Sequence, residues 1–287
     1  MQGFDVSGGE LVVGGQRLSA LAAQVGQTPF YAYDRQRIAA RVVEVRAALP
    51  RGVDLHYAVK ANPMLELLAF ITPLVDGLDV ASAGELQRAL AAGMAPGAIS
   101  FAGPGKRAAE LEAAVAAGVL VNVESFREVP LLADASQRLG LPARVAVRVN
   151  PDFELRGAGM RMGGGAKPFG VDVEQVPALL ESIAAAGLHF EGFHLYAGSQ
   201  MLKGDLLAQA TRATGELLLR LSEHTPAPVR HLNLGGGWGI PYVANEQPLD
   251  VTPVCAALHE LVDQAAVSLP GARLQIELGR YLVGEAG

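Results

Sequence analysis

The segment Val53-Asp54-Leu55-His56-Tyr57-Ala58-Val59-Lys60-Ala61-Asn62-Pro63 decides how this chain is read. Val53 to Val59 is a β-rich apolar run and Asn62-Pro63 is a turn signal, so Lys60 stands where a strand ends and the chain reverses. A lysine at a strand end is most often a solvated surface group. Held inside a site, the same amine can form a Schiff base. The second reading gains weight because three other motifs end strands of their own: His194-Leu195-Tyr196-Ala197-Gly198-Ser199-Gln200, Gly235-Gly236-Gly237 and Glu277-Leu278-Gly279-Arg280.

Working outward, short β-rich runs alternate with longer alanine- and leucine-rich stretches of helical period. Eight strands are expected: Val53 to Val59, Gly77 to Ala81, Ala98 to Ala102, Val119 to Val123, Arg144 to Val149, His189 to Tyr196, Val229 to Leu234 and Arg273 to Glu277. Helices are expected at 35–48, 64–72, 83–93, 107–117, 125–139, 173–186, 203–224 and 252–268, with Asp34, Ser82, Ser125 and Thr252 as N-caps. Eight strands with crossover helices predict an α/β fold, a (β/α)8 TIM-like barrel, with an open doubly wound sheet as the alternative. Glu10-Leu11-Val12-Val13 before Gly14-Gly15 reads as a hairpin arm with no nearby partner strand. The apolar run Tyr281-Leu282-Val283 starts four residues before the last position. The expected organisation is therefore an N-terminal arm over 1–30, a barrel over 31–280, and at 281–287 the start of a C-terminal β domain mostly absent from this chain.

Composition narrows the function classes. With 287 residues, half of them apolar, the chain can bury a substantial core. Its net charge of −6, with no basic stripe, argues against a nucleic-acid partner. No secretory leader and no run of eighteen apolar residues is present, so neither secretion nor membrane insertion is expected, and a cytoplasmic location is. The single cysteine, Cys255, lies on an apolar helical stripe and reads as a buried structural thiol. Histidines 56, 189, 224, 231 and 259 show no metal-ligand spacing, and no metal is expected.

In barrel enzymes reactive groups come from the C-terminal ends of the strands, with phosphate commonly held after strands seven and eight. Gly235-Gly236-Gly237 can bring backbone amides close to an anion, with the Ser199 hydroxyl and Arg280 beside it. A phosphorylated cofactor that also requires a lysine is pyridoxal 5'-phosphate.

These motifs carry a resemblance. Tyr57-Ala58-Val59-Lys60-Ala61-Asn62, Asp79-Val80-Ala81-Ser82-Ala83-Gly84-Glu85, Gly198-Ser199-Gln200, Gly235-Gly236-Gly237 and Glu277-x-Gly279-Arg280 follow one another as in the fold-type III pyridoxal-phosphate decarboxylases, the group of diaminopimelate, ornithine and arginine decarboxylases. The resemblance runs from about residue 10 to 287 and implies a barrel of the alanine racemase type. It implies that Lys60 bears the cofactor's Schiff base, that Ser199, the triglycine amides and Arg280 hold its phosphate, and that Asp79, Glu85 and Arg148 line its surroundings. An aromatic ring stacks on the pyridine face in the family, and Tyr196 stands there in place of the customary histidine, with His194 in a supporting catalytic role. Glu277 resembles the family's pyridinium partner. A carboxylate there keeps the ring protonated and strengthens it as an electron sink, which favours decarboxylation of an amino acid through a quinonoid over racemisation.

The resemblance also implies a homodimer with active sites at the interface, and a proton donor from the C-terminal β domain. Leu278 replaces the family's proline, which removes a φ restraint next to Arg280. The glycine-rich loop Phe153 to Gly170, with Arg156, Arg161 and Lys167, reads as a mobile lid or as an exposed crossover. Its run Met160-Arg161-Met162-Gly163-Gly164-Gly165 resembles decarboxylases of secondary-metabolite and exopolysaccharide pathways, including the exosortase-associated and carrier-protein-linked branch, some of which act on carrier-protein-bound amino acids. The alternatives are a non-catalytic pyridoxal-phosphate-binding protein and an amino-acid racemase.

Overall fold

A computed structural model describes residues 3–154, 159–163, 165 and 167–287. Eight parallel strands close into a barrel: strand one Val53–Ala58, two Gly77–Val80, three Ile99–Phe101, four Leu120–Val123, five Arg144–Asn150, six His189–His194, seven His231–Gly236 and eight Arg273–Leu278. Each pairs in parallel with the next, strand eight pairs with strand one, and strands four and five complete the circle. The helices expected between the strands all form, at Arg35–Ala48, Leu65–Ile71, Ala83–Ala91, Ala108–Ala117, Glu128–Leu139, Val176–Ala185, Gly204–Ser222 and Thr252–Ser268.

Successive strand residues point to opposite faces, so each strand sorts its side chains into two sets. Leu55, Tyr57, Leu78, Val80, Val145, Val147, Phe193, Ile276 and Leu278 form one set, buried in the layer between the strands and the helices. The intervening residues on the other face are largely polar: His56, Asp79, Ser100, Asn122, Arg148, His194, Asn233 and Glu277, all buried. The apolar core is therefore the shell around the barrel, and the barrel interior is a polar channel leading to its mouth. Buried polar groups need partners, and some find one on the neighbouring strand, as Asn122 Nδ2 does on Ser100 Oγ at 2.7 Å.

The structure corrects several details. Gly235 and Gly236 are the last residues of strand seven and only Gly237 lies beyond it: Gly236 is in register with Glu277 of strand eight. A Cβ at Gly236 would sit 1.9 Å from the Glu277 carbonyl oxygen, so glycine lets these strands pair at that point. The arm has partners on both sides, since Asp5–Ser7, Glu10–Val13 and Gln16–Arg17 form a three-stranded antiparallel sheet through glycine turns. A helix at Leu18–Val25, which was not foreseen, follows it. Asp34 and Ser82 cap their helices as expected, but Thr252 does not: its N–H donates to the Asp250 side chain at 2.9 Å. Ser125 lies in a turn ahead of the helix, which starts at Glu128. Arg280–Val283 is a helical turn with Tyr281, Leu282 and Val283 buried, and Tyr281 packs edge-on against Trp238 at 5.2 Å. Among the described residues, no helix is long and apolar enough to cross a membrane.

Candidate active site

The C-terminal strand ends surround a cavity of about 860 Å³, within the range of small-molecule and cofactor sites. Strand one delivers Lys60 to it on the tight helical turn Val59–Ala61, which the Asn62 side chain continues by accepting from Met64 N at 3.0 Å. Strand two contributes Asp79, and strand five contributes Arg148. Strand six contributes His194, with Tyr196 and Ser199 following it. From strands seven and eight come Gly237, Glu277, Gly279 and Arg280. Lysine and glutamate thus share one cavity: Lys60 Nζ stands 5.1 Å from the centre of the Tyr196 ring, and Glu277 Oε1 lies 3.7 Å from His194 Nε2.

Glu277 is fully enclosed. Burial disfavours its charge, but the His194 ring, with Lys60 and Arg148 behind it, outweighs burial and brings its pKa down to about 2. An ionised carboxylate is thus held at the inner end of the cavity. Several polar atoms here lack hydrogen-bond partners among the described residues: both ring nitrogens of His194 and both oxygens of Asp79. Asp79 Oδ2 stands 3.4 Å from His56 Nδ1; burial opposes the charge on His56, and Asp79 outweighs burial and raises the histidine's pKa.

At the outer end, the Arg280 guanidinium donates to Gln200 Oε1 at 2.9 Å and lies over the Tyr242 ring at 5.4 Å. These two contacts hold the arginine at the start of the helical turn Arg280–Val283. Gln200 holds a positive φ of 61°, and its amide donates to the Ile240 carbonyl at 2.5 Å. Gly237, with φ 83°, comes so close to the neighbouring chain that a Cβ would sit 2.3 Å from the Gly198 carbonyl oxygen. Glycine therefore brings the backbone after strand seven against Gly198-Ser199, as an anion cradle requires.

Three of the residues singled out in the sequence stand behind the cavity wall. Gly235 and Gly236 shape the strand beneath it. Glu85 accepts from Ala81 N at 2.7 Å while its own N–H donates to Ser82 Oγ, so it ties the first turn of the helix after strand two to the end of that strand. Several cavity residues escaped the sequence reading. Met162 and Phe169 of the glycine-rich loop line the wall, as do Tyr33 and Trp238. Residues Met160–Arg161 of that loop pair antiparallel with Gly198–Ser199, which sets the loop on the rim beside the serine. Arg156 and the Arg161 side chain lie outside the described residues. Gly103-Pro104-Gly105, after strand three, also forms wall, and a glycine pair at a strand end was a legible signal for it.

A lysine and a buried carboxylate at the mouth of a closed (β/α)8 barrel define a class of pyridoxal-phosphate-binding barrels. Residues 35–284 match the family model described as the pyridoxal binding domain of pyridoxal-dependent decarboxylases, and the chain belongs to that family, whose cofactor is pyridoxal phosphate. It is 33% identical over 263 residues to an L-glutamyl-[BtrI acyl-carrier protein] decarboxylase of Niallia circulans, covering 91% of this chain and 61% of that protein. It is 34% identical over 282 residues to a diaminopimelate decarboxylase of Aquifex aeolicus, covering 97% and 65%. A diaminopimelate decarboxylase from M. jannaschii in co-complex with L-lysine superimposes with a TM-score of 0.84 at 27% identity, covering 99% of this chain and 68% of that one. The chain thus spans between 61% and 65% of the length of these two curated relatives.

Proposed function

We propose that the protein decarboxylates an amino acid or amino-acid derivative with pyridoxal phosphate held in this cavity. The observation that carries the reading is that an accessible amine, Lys60, and an enclosed carboxylate, Glu277, whose charge the His194 ring, Lys60 and Arg148 favour, line the same cavity. The orphaned polar atoms of His194 and Asp79, and the close backbone approach at Gly237, fit a polar, phosphorylated ring.

Bound there, the cofactor supplies an aldehyde for the amine and a sink for the electrons of a broken Cα bond. Lys60 would be the attachment point for that aldehyde, and its amine, once freed, would take the proton given up by the substrate's ammonium group. Glu277, whose charge the His194 ring 3.7 Å away favours, would hold a proton on the pyridine nitrogen of the bound cofactor. Of the triglycine only Gly237 faces the cavity, so Ser199, the backbone at Gly237 and Arg280 would take the phosphate, with Gly235 and Gly236 shaping the strand beneath them and Gln200 fixing the arginine's direction. Tyr196 presents its ring face to the cofactor, and Asp79 and Arg148 set the charge around it. Glu85 acts at one remove, by fixing the chain after Asp79.

The substrate class is an amino acid, free or bound to a carrier protein; identity to the acyl-carrier-linked relative, together with the Met160–Gly165 run, supports the second form. A homodimer in the cytoplasm completes the reading. The test is to load the protein with pyridoxal phosphate and offer carboxyl-labelled amino acids, free and as carrier-protein thioesters. Release of labelled carbon dioxide, abolished in Lys60→Ala, is expected. Stereochemical scrambling without gas release would replace the reading with racemisation, and absence of both would leave a binding protein.

A further inference from the structure

Glu124, immediately after strand four, is buried and does not line the cavity, yet three separate pieces of the cavity wall converge on its carboxylate. Its Oε1 accepts from Arg148 Nη1 at 2.9 Å and also from the Gly103 N–H. Its Oε2 accepts from the N–H of Gly170, the last residue of the glycine-rich loop, at 3.2 Å. The Arg148 guanidinium lies over the Phe169 ring at 5.0 Å, and Arg148, Gly103 and Phe169 all face the cavity.

Behind this junction sits Lys106, 2% exposed, with its Nζ 3.9 Å from Glu124 and 3.1 Å from Glu128. It donates to the carbonyls of Gly103 at 2.6 Å and Asn122 at 2.8 Å. The cluster holds two cations, Lys106 and Arg148, and two carboxylates, Glu124 and Glu128. Burial works against the charge on Glu124, but Arg148 and Lys106 outweigh it and lower its pKa, whereas burial raises that of Glu128. Buried ion networks are often no more stabilising than apolar packing of the same volume, so stability alone is a weak reason for four charges here. What they do accomplish is geometric: one anion fixes a cavity-facing arginine and the ends of two loops.

The geometry points to Glu124 as a positioning residue for the cofactor site, acting through Arg148, through Gly103 at the start of the loop after strand three, and through Gly170 at the end of the glycine-rich loop. This rests on the reading that pyridoxal phosphate occupies the cavity. The test is a double-mutant cycle on the dissociation constant of pyridoxal 5'-phosphate, read from its visible lysine-bound band. Glu124→Gln is expected to weaken binding roughly tenfold, as loss of a charge-assisted hydrogen bond does. Arg148→Met should weaken it too, and combining the two should cost less than about twofold beyond the larger single effect, because both remove one oriented group. Effects that multiply, or a Glu124→Gln protein that binds as wild type, would overturn the assignment. If Glu124→Gln fails to fold, the pair Lys106→Met with Glu124→Gln leaves Arg148 and Glu128 as a balanced couple and takes its place in the cycle. A second arm uses cofactor-free protein: hydrogen exchange at the Gly170 amide should speed up in the variant, and an unchanged rate would refute the loop tether. A wild-type protein with no visible band would sink the parent reading, while the exchange arm would still decide this one.

Discussion

Gly236→Ala puts one methyl group between strands seven and eight. The added Cβ would lie 1.9 Å from the Glu277 carbonyl oxygen, 3.0 Å from its carbon and 3.1 Å from a Leu278 methyl. Side-chain carbons do not approach other heavy atoms closer than about 3.0 Å, so the strands must separate by about 1.1 Å at their register pair. The obstacle is backbone on a strand paired on both sides, so little can relax by side-chain rotation. Overpacking of this kind costs about 1–3 kcal/mol, and loosening one ladder hydrogen bond adds about 1 kcal/mol. At roughly 2–4 °C per kcal/mol for a domain of this size, a total of about 2–4 kcal/mol should lower the melting temperature by about 4–16 °C. Because the residue displaced is Glu277, cofactor affinity should fall in parallel. Thermal melts followed by circular dichroism and a pyridoxal-phosphate titration measure both. Gly84→Ala is the control, since its Cβ would meet only Ser82 Oγ at 3.9 Å at the start of a helix, and it should stay within about 0.5 kcal/mol of wild type. A Gly236→Ala protein that melts and binds as wild type would refute the reasoning.

Three further outcomes are expected. At the opposite end of the barrel Glu191 accepts from Arg144 at 2.6 and 2.8 Å and lies 3.2 Å from His231; burial disfavours its charge, but these partners outweigh it and take its pKa from 4.5 to about 2. A depressed carboxylate stabilises the fold in full above the unfolded pKa and loses that contribution as pH falls through the folded one, so about 3 kcal/mol should vanish between pH 4.5 and pH 2. Urea denaturation of Glu191→Gln should show that deficit at pH 7 and a closing gap toward pH 2, and a pH-independent gap would contradict it. Asp250→Ala should lower the melting temperature more than Thr252→Ala, because only the first leaves the Thr252 N–H at the start of the following helix without its carboxylate acceptor; thermal melts of the two variants decide it, and an equal or larger drop for Thr252→Ala would contradict the assignment. Glu277→Gln should keep the protein folded but move the visible band of the bound cofactor, since the pyridine nitrogen loses its ionised partner; an unchanged spectrum would place the ring elsewhere.

The barrel was legible because most strands carry an apolar residue at every second position, facing the helices, and because turn residues mark nearly every boundary; strand six, where Phe190 and Phe193 are three apart at a shift in register, is the exception. Strand one shows the alternation in Val53, Leu55, Tyr57 and Val59. The polar residues between them were equally visible, but their meaning was not: that His56 and Asp79 meet across the channel depends on the register of strands one and two, which no local pattern prints. Site residues at strand ends could be read from position and chemistry, as with Lys60 and Glu277. Residues that support them through long-range contacts could not. Gln200 reaches Arg280 across 80 positions of sequence, and Glu124 reaches Arg148 across 24, and these separations leave no trace in composition or periodicity. The glycine run showed where the backbone had to come close, but whether it served as turn or as strand depended on the Glu277 carbonyl beside it.

The most direct measurement is reduction of the pyridoxal-phosphate-loaded protein with borohydride, followed by peptide mass mapping. The chain has four lysines, at positions 60, 106, 167 and 203, so the result is unambiguous. A phosphopyridoxyl group on Lys60 alone is expected, with the buried Lys106 unlabelled. Label on any other lysine, or none at all, would contradict the claim that this amine and the Glu277 carboxylate hold one cofactor between them.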